Sequence, residues 1–103
     1  MAAFLLQDAA TFRLGEIYRY SLHQWGQEQA DKYIEGLFVS FAKVGEKNVL
    51  SRSIPAEFGV AGYYYKYQKH VVYWKYLSSG EVGIVTILHE RMHQIRHFEE
   101  AVP

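Results

Sequence analysis

The order of apolar and polar residues predicts two amphipathic helices in the first half of the chain. Apolar side chains recur every three or four residues from residue 9 to about 24 and again from residue 27 to 44, which places them on one face of a helix. Gly26 separates the two segments, and so short a connection forces an antiparallel helical hairpin. The repeating positions are Phe12, Leu14, Ile17, Tyr18, Ser21 and Trp25, then Ala30, Tyr33, Ile34, Leu37, Phe38, Phe41 and Val44.

Runs of aromatic and β-branched residues predict strands on either side of the hairpin. The first run is AFLLQ, residues 3 to 7, and Asp8 follows it at the position where a side chain caps a helix. The glycines and the proline between Gly45 and Gly62 indicate a loop. Beyond this loop lie three further runs, which are YYYKYQ (63 to 68), HVVYWKYL and EVGIVTILH (81 to 89).

The last three runs predict an antiparallel meander, because turn-like residues at Gln68-Lys69 and Ser78-Ser79-Gly80 separate them. The hairpin must bury its apolar face against one side of the sheet, which gives two layers. We therefore predict one α+β domain over residues 1 to 103, with the order β-α-α-β-β-β, a mainly antiparallel sheet and a short C-terminal tail. The pattern leaves open whether Ile95 to Ala101 is a helix or a frayed tail, because glutamates near its C-terminal end oppose the helix dipole.

The segment HERMH, from His89 to His93, matches the H-E-x-x-H pattern of many zinc metalloproteases. That pattern works on a helix, where both histidines share one face and the glutamate activates a water. Here the preceding VGIVTIL predicts a strand that ends at His89, so that His89 and Glu90 point to opposite faces. We therefore reject the metalloprotease, predict no metal and no cofactor, and interpret His89 as a hydrogen-bonded core histidine.

The composition narrows the class of protein further. Half of the 103 residues are hydrophobic, 17% are aromatic and none is cysteine, which fits a folded domain without disulfides or thiol chemistry. Eleven basic and eleven acidic residues cancel, whereas proteins that bind nucleic acid through phosphates usually carry a basic excess. Neither a secretory signal nor a membrane-spanning run is evident. We expect a cytoplasmic protein with no membrane association and no independent nucleic-acid binding.

Five short signatures follow one another along nearly the whole chain. They are L-x-x-I-Y-x-Y from Leu14, WG-x-x-QA-x-x-Y from Trp25, the loop arginine Arg52, K-H-V-V-Y-W-K from Lys69 and V-x-I-L-H-x-R-M from Val85. In this order and spacing they resemble the ParE branch of the RelE/ParE superfamily of bacterial toxins. Members of that branch typically end the last strand in a similar His-x-Arg-Met run that is not a zinc site.

The resemblance implies a toxin that acts on DNA gyrase, stalling it on cleaved DNA, and that a ParD-like cognate antitoxin silences by binding. Such a protein acts by binding, so no catalytic residue is required. Tryptophan, arginine and methionine are favoured anchors of interfaces. For Trp25 the alternative is packing at the base of the hairpin, because it continues the stripe of Tyr18. The candidate target-binding residues are Trp25, Arg91, Met92, His93 and Arg96.

Two other functions stay open at this point. The RelE branch shares the fold and cuts ribosome-bound messenger RNA with clustered basic residues, which stabilise the charge at the scissile phosphate. This chain has tyrosines around Lys66, where those enzymes present lysines and arginines. A divergent module that binds only its antitoxin is the other alternative. If the chain were a ribonuclease, its candidate residues would be Arg52, Lys66, His70, Arg91 and His93, with Lys69 beside them.

The aromatic strands suggest the surface that binds the antitoxin. Antitoxins of this kind are typically disordered in their C-terminal segment and become ordered on binding. On alternating strands, Lys75 indicates which faces point outward; the alternative is that the aromatic residues form the core, with single rings exposed. We expect these faces, together with the outer face of the hairpin, to bind that segment, and the isolated toxin to self-associate without it. The candidate antitoxin-binding residues are Tyr64, Lys66, Tyr73 and Lys75.

Overall fold

The computed structural model describes residues 4–46 and 50–101. Ala3 of the first predicted strand and residues 47–49 of the predicted loop lie outside this range. No helix in the described part of the chain has the length and hydropathy needed to cross a membrane. The elements in chain order are β1 (Phe4–Leu6), α1 (Asp8–Trp25), α2 (Gln27–Gly45), β2 (Arg52–Ser53), a 3₁₀ turn (Ala56–Phe58), β3 (Tyr63–Tyr67), β4 (His70–Tyr76), β5 (Val82–His89) and α3 (Gln94–Ala101).

The strands form one five-stranded sheet with the order β1-β5-β4-β3-β2. β3, β4 and β5 make the predicted antiparallel meander, and β1 adds in parallel to β5 with Phe4 opposite Val82. The α+β class, the hairpin and the predominantly antiparallel sheet are confirmed. The two-residue strand β2, which pairs Arg52 with Tyr64, was missed, because two residues are too short to show an alternating pattern.

The hairpin packs on one face of the sheet, as its period predicts. Leu37 and Phe41 of α2 are fully buried there with Val72 and Ile84 of the sheet. Gly26 adopts φ 88° between the helices, a conformation that glycine enters without strain. The predicted cap by Asp8 is wrong, since Gln7 is the N-cap residue and makes no side-chain capping hydrogen bond.

The strand β5, which lies between β1 and β4, is buried on both faces, which explains its continuous apolar sequence. A bulge inserts Val85 between the pairs Tyr73–Thr86 and Trp74–Ile84. The extra residue resets the side-chain alternation. Ile84 and Ile87, three residues apart, therefore both pack beneath the hairpin. Val85 and Leu88 both enter a second cluster on the opposite face.

The second face of the sheet is covered as well, so the prediction of two layers is incomplete. Phe98 of α3 is 1% exposed and packs edge-on against Phe58 and Tyr73. The helix α3 begins after His93, whose Nδ1 accepts the backbone N–H of Arg96 at 3.2 Å. Burial of Phe98 and this cap stabilise a helix where the sequence left a helix and a frayed tail open.

Candidate functional site

An open cleft of about 860 Å³ lies where the tip of the hairpin, the β3–β4 turn and the end of β5 meet. Pockets of this size are typical of ligand-binding sites. The turn is the predicted Gln68-Lys69 pair, and Gln68 adopts φ 51°, which allows the two-residue connection. The cleft is lined by Arg13, Glu16, Ile17, Tyr20, Ser21, Trp25, Gln29, Tyr33, Gln68, Lys69, His70, Ile87, His89, Arg91 and Met92.

Tyr33 and His70 form a half-buried pair in the cleft. The Tyr33 hydroxyl lies 2.6 Å from His70 Nδ1 and 3.5 Å from the Tyr67 carbonyl, and we assign its proton to the shorter contact. Burial, and then the neighbouring His89, lower the pKa of His70 to about 4. Burial also raises the pKa of Tyr33 to about 12. Both groups are therefore neutral at physiological pH, and His70 carries its proton on Nε2.

His89 lies directly across the ladder from His70, with the ring centroids 5.2 Å apart. Its Nδ1 accepts the backbone N–H of Arg91 at 3.1 Å. A neutral imidazole that accepts at Nδ1 donates from Nε2. His89 is thus a half-buried residue at the end of its strand that lines the cleft, and the prediction that it belongs to the core is only partly right.

The charges that line the cleft are mainly positive. Arg13, Lys69 and Arg91 contribute three cations, while Glu16 contributes one carboxylate. The Glu16 Oε1 atom is 2.9 Å from Arg13 Nη1 and is already paired. Lys69 and Arg91 are solvent-exposed at the mouth. The cleft is therefore suited to a ligand with negative charge.

The structure brings together only part of the set of candidate ribonuclease residues. Lys69, His70 and Arg91 line the cleft, whereas the other three do not. Arg52 lies on β2, three strands away from β5, which is about 14 Å at the usual spacing between strands. Lys66 instead pairs its Nζ with Glu90 Oε1 at 2.6 Å, and His93 caps α3.

Among the candidate target-binding residues, Trp25, Arg91 and Met92 line the cleft, whereas His93 and Arg96 lie outside its lining. Trp25 is 63% exposed and contacts Tyr20 edge-on, with ring centroids 5.8 Å apart. Packing at the base of the hairpin, the alternative for Trp25, is therefore wrong.

The predicted outward position of Tyr73 is also wrong. Tyr73 is 3% exposed, its hydroxyl donates to Gln94 Oε1 at 2.6 Å, and Tyr64 packs beside it in the second cluster. The reason is that α3 covers this face of the sheet, which was predicted from Lys75 to be exposed to solvent. Lys66 is exposed and Lys75 is half-buried.

Several cleft residues were missed as site residues at the level of sequence. Tyr33 was assigned to the core because it lies on the apolar stripe of α2, and Arg13 gave no signal at all. Tyr20 belongs to the first signature, which marked it as unusual without giving it a role. A tyrosine and a histidine 37 residues apart meet only through the packing of α2 on the sheet.

The HERMH segment is not a helical metal site, because β5 ends at His89 and α3 begins only at Gln94. The Lys66 side chain, which hydrogen-bonds to the Glu90 carboxylate, lowers the pKa of Glu90. Within residues 4–46 and 50–101, no group of three or more histidine, aspartate or glutamate residues is arranged to hold a metal ion.

Comparison with known proteins agrees with the sequence signatures. The family described as "ParE toxin of type II toxin-antitoxin system, parDE" matches residues 5–94. Two relatives named Toxin ParE1, from Mycobacterium tuberculosis strains CDC 1551 / Oshkosh and ATCC 25618 / H37Rv, are each 25% identical over 91 residues. These alignments cover 86% of this chain and 90% of each relative. Because the family match spans most of the chain, this protein belongs to the ParE toxin family of type II toxin–antitoxin systems.

Proposed function

We propose that this toxin binds DNA gyrase and stalls it on cleaved DNA, and that a cognate antitoxin neutralises it by direct binding. Membership of the ParE family carries this proposal. The exposed Trp25 beside Arg91 and Met92 supports it, since these residue types anchor interfaces. The target-binding surface is then the mouth of the cleft.

The chemistry of the cleft favours binding over RNA cleavage. A base that removes the proton of a ribose 2′-hydroxyl works best with a pKa near the working pH. The pKa of His70, about 4, and that of Tyr33, about 12, lie far on either side of neutrality. Arg52 and Lys66, which would stabilise the phosphate, lie on β2 and in an ion pair with Glu90. A ribonuclease would have to rebuild this site on the ribosome.

A gyrase supercoiling and cleavage assay on plasmid DNA tests the proposal. Wild-type toxin should accumulate cleaved DNA complexes, and the cognate antitoxin should suppress them. Trp25→Ala should require roughly 30-fold more protein for the same cleavage, the loss expected for an interface hot spot of about 2 kcal/mol. Phe12→Ala is the matched control, because Phe12 is 60% exposed and is not among the residues that line the cleft. Gyrase unaffected by wild-type toxin, together with cleavage of ribosome-bound messenger RNA, would establish the ribonuclease instead.

For the antitoxin we propose the outer face of the hairpin. Large apolar side chains remain exposed on these helices, among them Leu22 at 41%, Phe38 at 38% and Val39 at 54%. A segment that folds on binding gains its affinity by covering such side chains. Val39→Asp should weaken antitoxin binding at least about tenfold, the effect of 1.4 kcal/mol, in a calorimetric titration. Lys75→Asp should leave antitoxin binding unchanged. If Lys75→Asp weakened binding and Val39→Asp did not, the antitoxin would bind on the strands instead.

A further inference from the structure

Several hydrogen-bond donors line the cleft. His89 accepts a hydrogen bond at Nδ1, and His70 does so with the Tyr33 proton assigned as above. Each ring then carries its proton on Nε2. Both histidines line the cleft, and within the described residues neither Nε2 belongs to the buried atoms that lack a partner. Lys69 and Arg91 add charged donors at the mouth. Such an array matches the oxygens of a phosphate.

Two exposed aromatic side chains form a rim of the same cleft. Tyr20 and Trp25 are 60% and 63% exposed, and they touch each other edge-on at an interplanar angle of 77°. A perpendicular pair leaves ring faces uncovered, and bases of single-stranded nucleic acids stack on such faces. Tyr20 and Trp25 both line the same cleft as Lys69 and Arg91. Stacking surfaces and phosphate donors are therefore within one site.

We propose that the cleft binds an unpaired nucleotide, with its base on the rim formed by Tyr20 and Trp25 and the two phosphates that flank it on Lys69, Arg91 and the two histidine Nε2 donors. Three cations against the single carboxylate of Glu16 leave a local charge of +2 in the lining, although the whole chain has a formal charge of zero. The site therefore takes one or two nucleotides and has no general affinity for duplex DNA. An acidic peptide would use the cations but not the stacking faces.

Intrinsic tryptophan fluorescence tests this site on the whole protein. Trp25 is exposed and Trp74 is 6% exposed, so quenching by a stacked base reports on Trp25. The probes are hexamers of deoxythymidine and of uridine, a duplex of the same length, hexaglutamate and inorganic phosphate. Both single strands should quench with half-saturation below about 100 µM at low salt, and the ratio of their affinities identifies DNA or RNA as the preferred source.

The salt dependence of hexamer binding, measured for the wild type and for variants of Lys69 and Arg91, tests which side chains contact the phosphates. Two neutralised phosphates on a single strand give a slope of about −1.4 in log affinity against log salt, which is roughly a sevenfold loss between 50 and 200 mM. Lys69→Gln and Arg91→Gln should each reduce that slope by about 0.7. Lys32→Gln is the control, since Lys32 is exposed on α2 beside Glu28 and is not part of the lining. Its slope should equal that of the wild type.

The proposal would be overturned if the duplex or hexaglutamate bound as tightly as the single-stranded hexamers or more tightly. It would also be overturned if neither hexamer quenched the fluorescence. An unchanged salt slope in both Lys69→Gln and Arg91→Gln would do the same. The proposal does not depend on gyrase as the target. A toxin that stalls gyrase without binding hexamers refutes the nucleotide site alone, whereas one that binds hexamers without affecting gyrase refutes the proposed function alone.

Discussion

Replacing Gly36 with alanine has two opposite effects on stability, because alanine favours the helix but crowds the Tyr67 side chain that packs on α2. Gly36 lies in the interior of α2, where alanine is favoured by about 1 kcal/mol. A Cβ atom at this position would overlap the Tyr67 hydroxyl and lie 2.9 Å from Tyr67 Cζ. Tyr67 packs edge-on against Tyr33 with ring centroids 5.4 Å apart, and Tyr33 contacts His70. The ring therefore has to move against its neighbours.

Overpacking of this kind costs roughly 1–3 kcal/mol, which exceeds the gain in helix propensity. We expect Gly36→Ala to lower the free energy of unfolding by about 1 kcal/mol, or by about 4–8 °C in Tm for a domain of this size. Gly15→Ala is the matched control in α1. Its Cβ would meet only the tip of the flexible Arg19 side chain, at 3.3 Å, so it should be stabilising by about 0.5–1 kcal/mol.

Urea denaturation followed by circular dichroism measures both variants. In a Tyr67→Leu background the clash is removed, and Gly36→Ala should then become stabilising by about 0.5–1 kcal/mol. This change of sign is the coupling that a double-mutant cycle detects. If Gly36→Ala stabilises the protein with Tyr67 in place, the packing of Tyr67 against α2 is not as the structure has it.

Three further predictions concern buried polar groups. Ser40 Oγ lies 2.7 Å from the Tyr65 hydroxyl. Ser40→Ala should lower the free energy of unfolding by about 1–3 kcal/mol, because it leaves that buried hydroxyl without its partner. The double variant Ser40→Ala with Tyr65→Phe should lose clearly less stability in chemical denaturation. Thr86 is fully buried and its Oγ1 has no hydrogen-bond partner among the described residues. Because burying an unpaired hydroxyl is unfavourable, Thr86→Val should raise the midpoint of thermal unfolding. A lower midpoint would show that the hydroxyl makes a hydrogen bond. The pKa of His70 falls from 6.5 to about 4 on folding, so the unfolded chain binds more protons and stability is lost as the pH falls from about 6.5 to 4. For a half-buried ring we expect this loss to be about 1–2 kcal/mol, and denaturation curves of His70→Gln should lack it over that range.

The sequence could predict several individual residues of the candidate site, but not that they lie together in one cleft. Trp25, His70, Arg91 and Met92 were recognised individually as candidates, because tryptophan, histidine, arginine and methionine near element ends are unusual enough to notice. Tyr33 was hidden, since a tyrosine on an apolar helical stripe has the same pattern whether it fills a core or faces a cleft.

The sequence by itself determined the helical hairpin, the meander and the family, because helical and strand periods and short signatures are local properties of the chain. The tertiary structure alone decided that α3 covers the second face of the sheet and buries Tyr73. It also decided that the bulge at Val85 places Ile84 and Ile87, three residues apart, on the same face of the sheet. These outcomes depend on contacts between segments far apart in the chain. The alternation of apolar and polar residues along a strand does not show which of its faces a distant helix will cover.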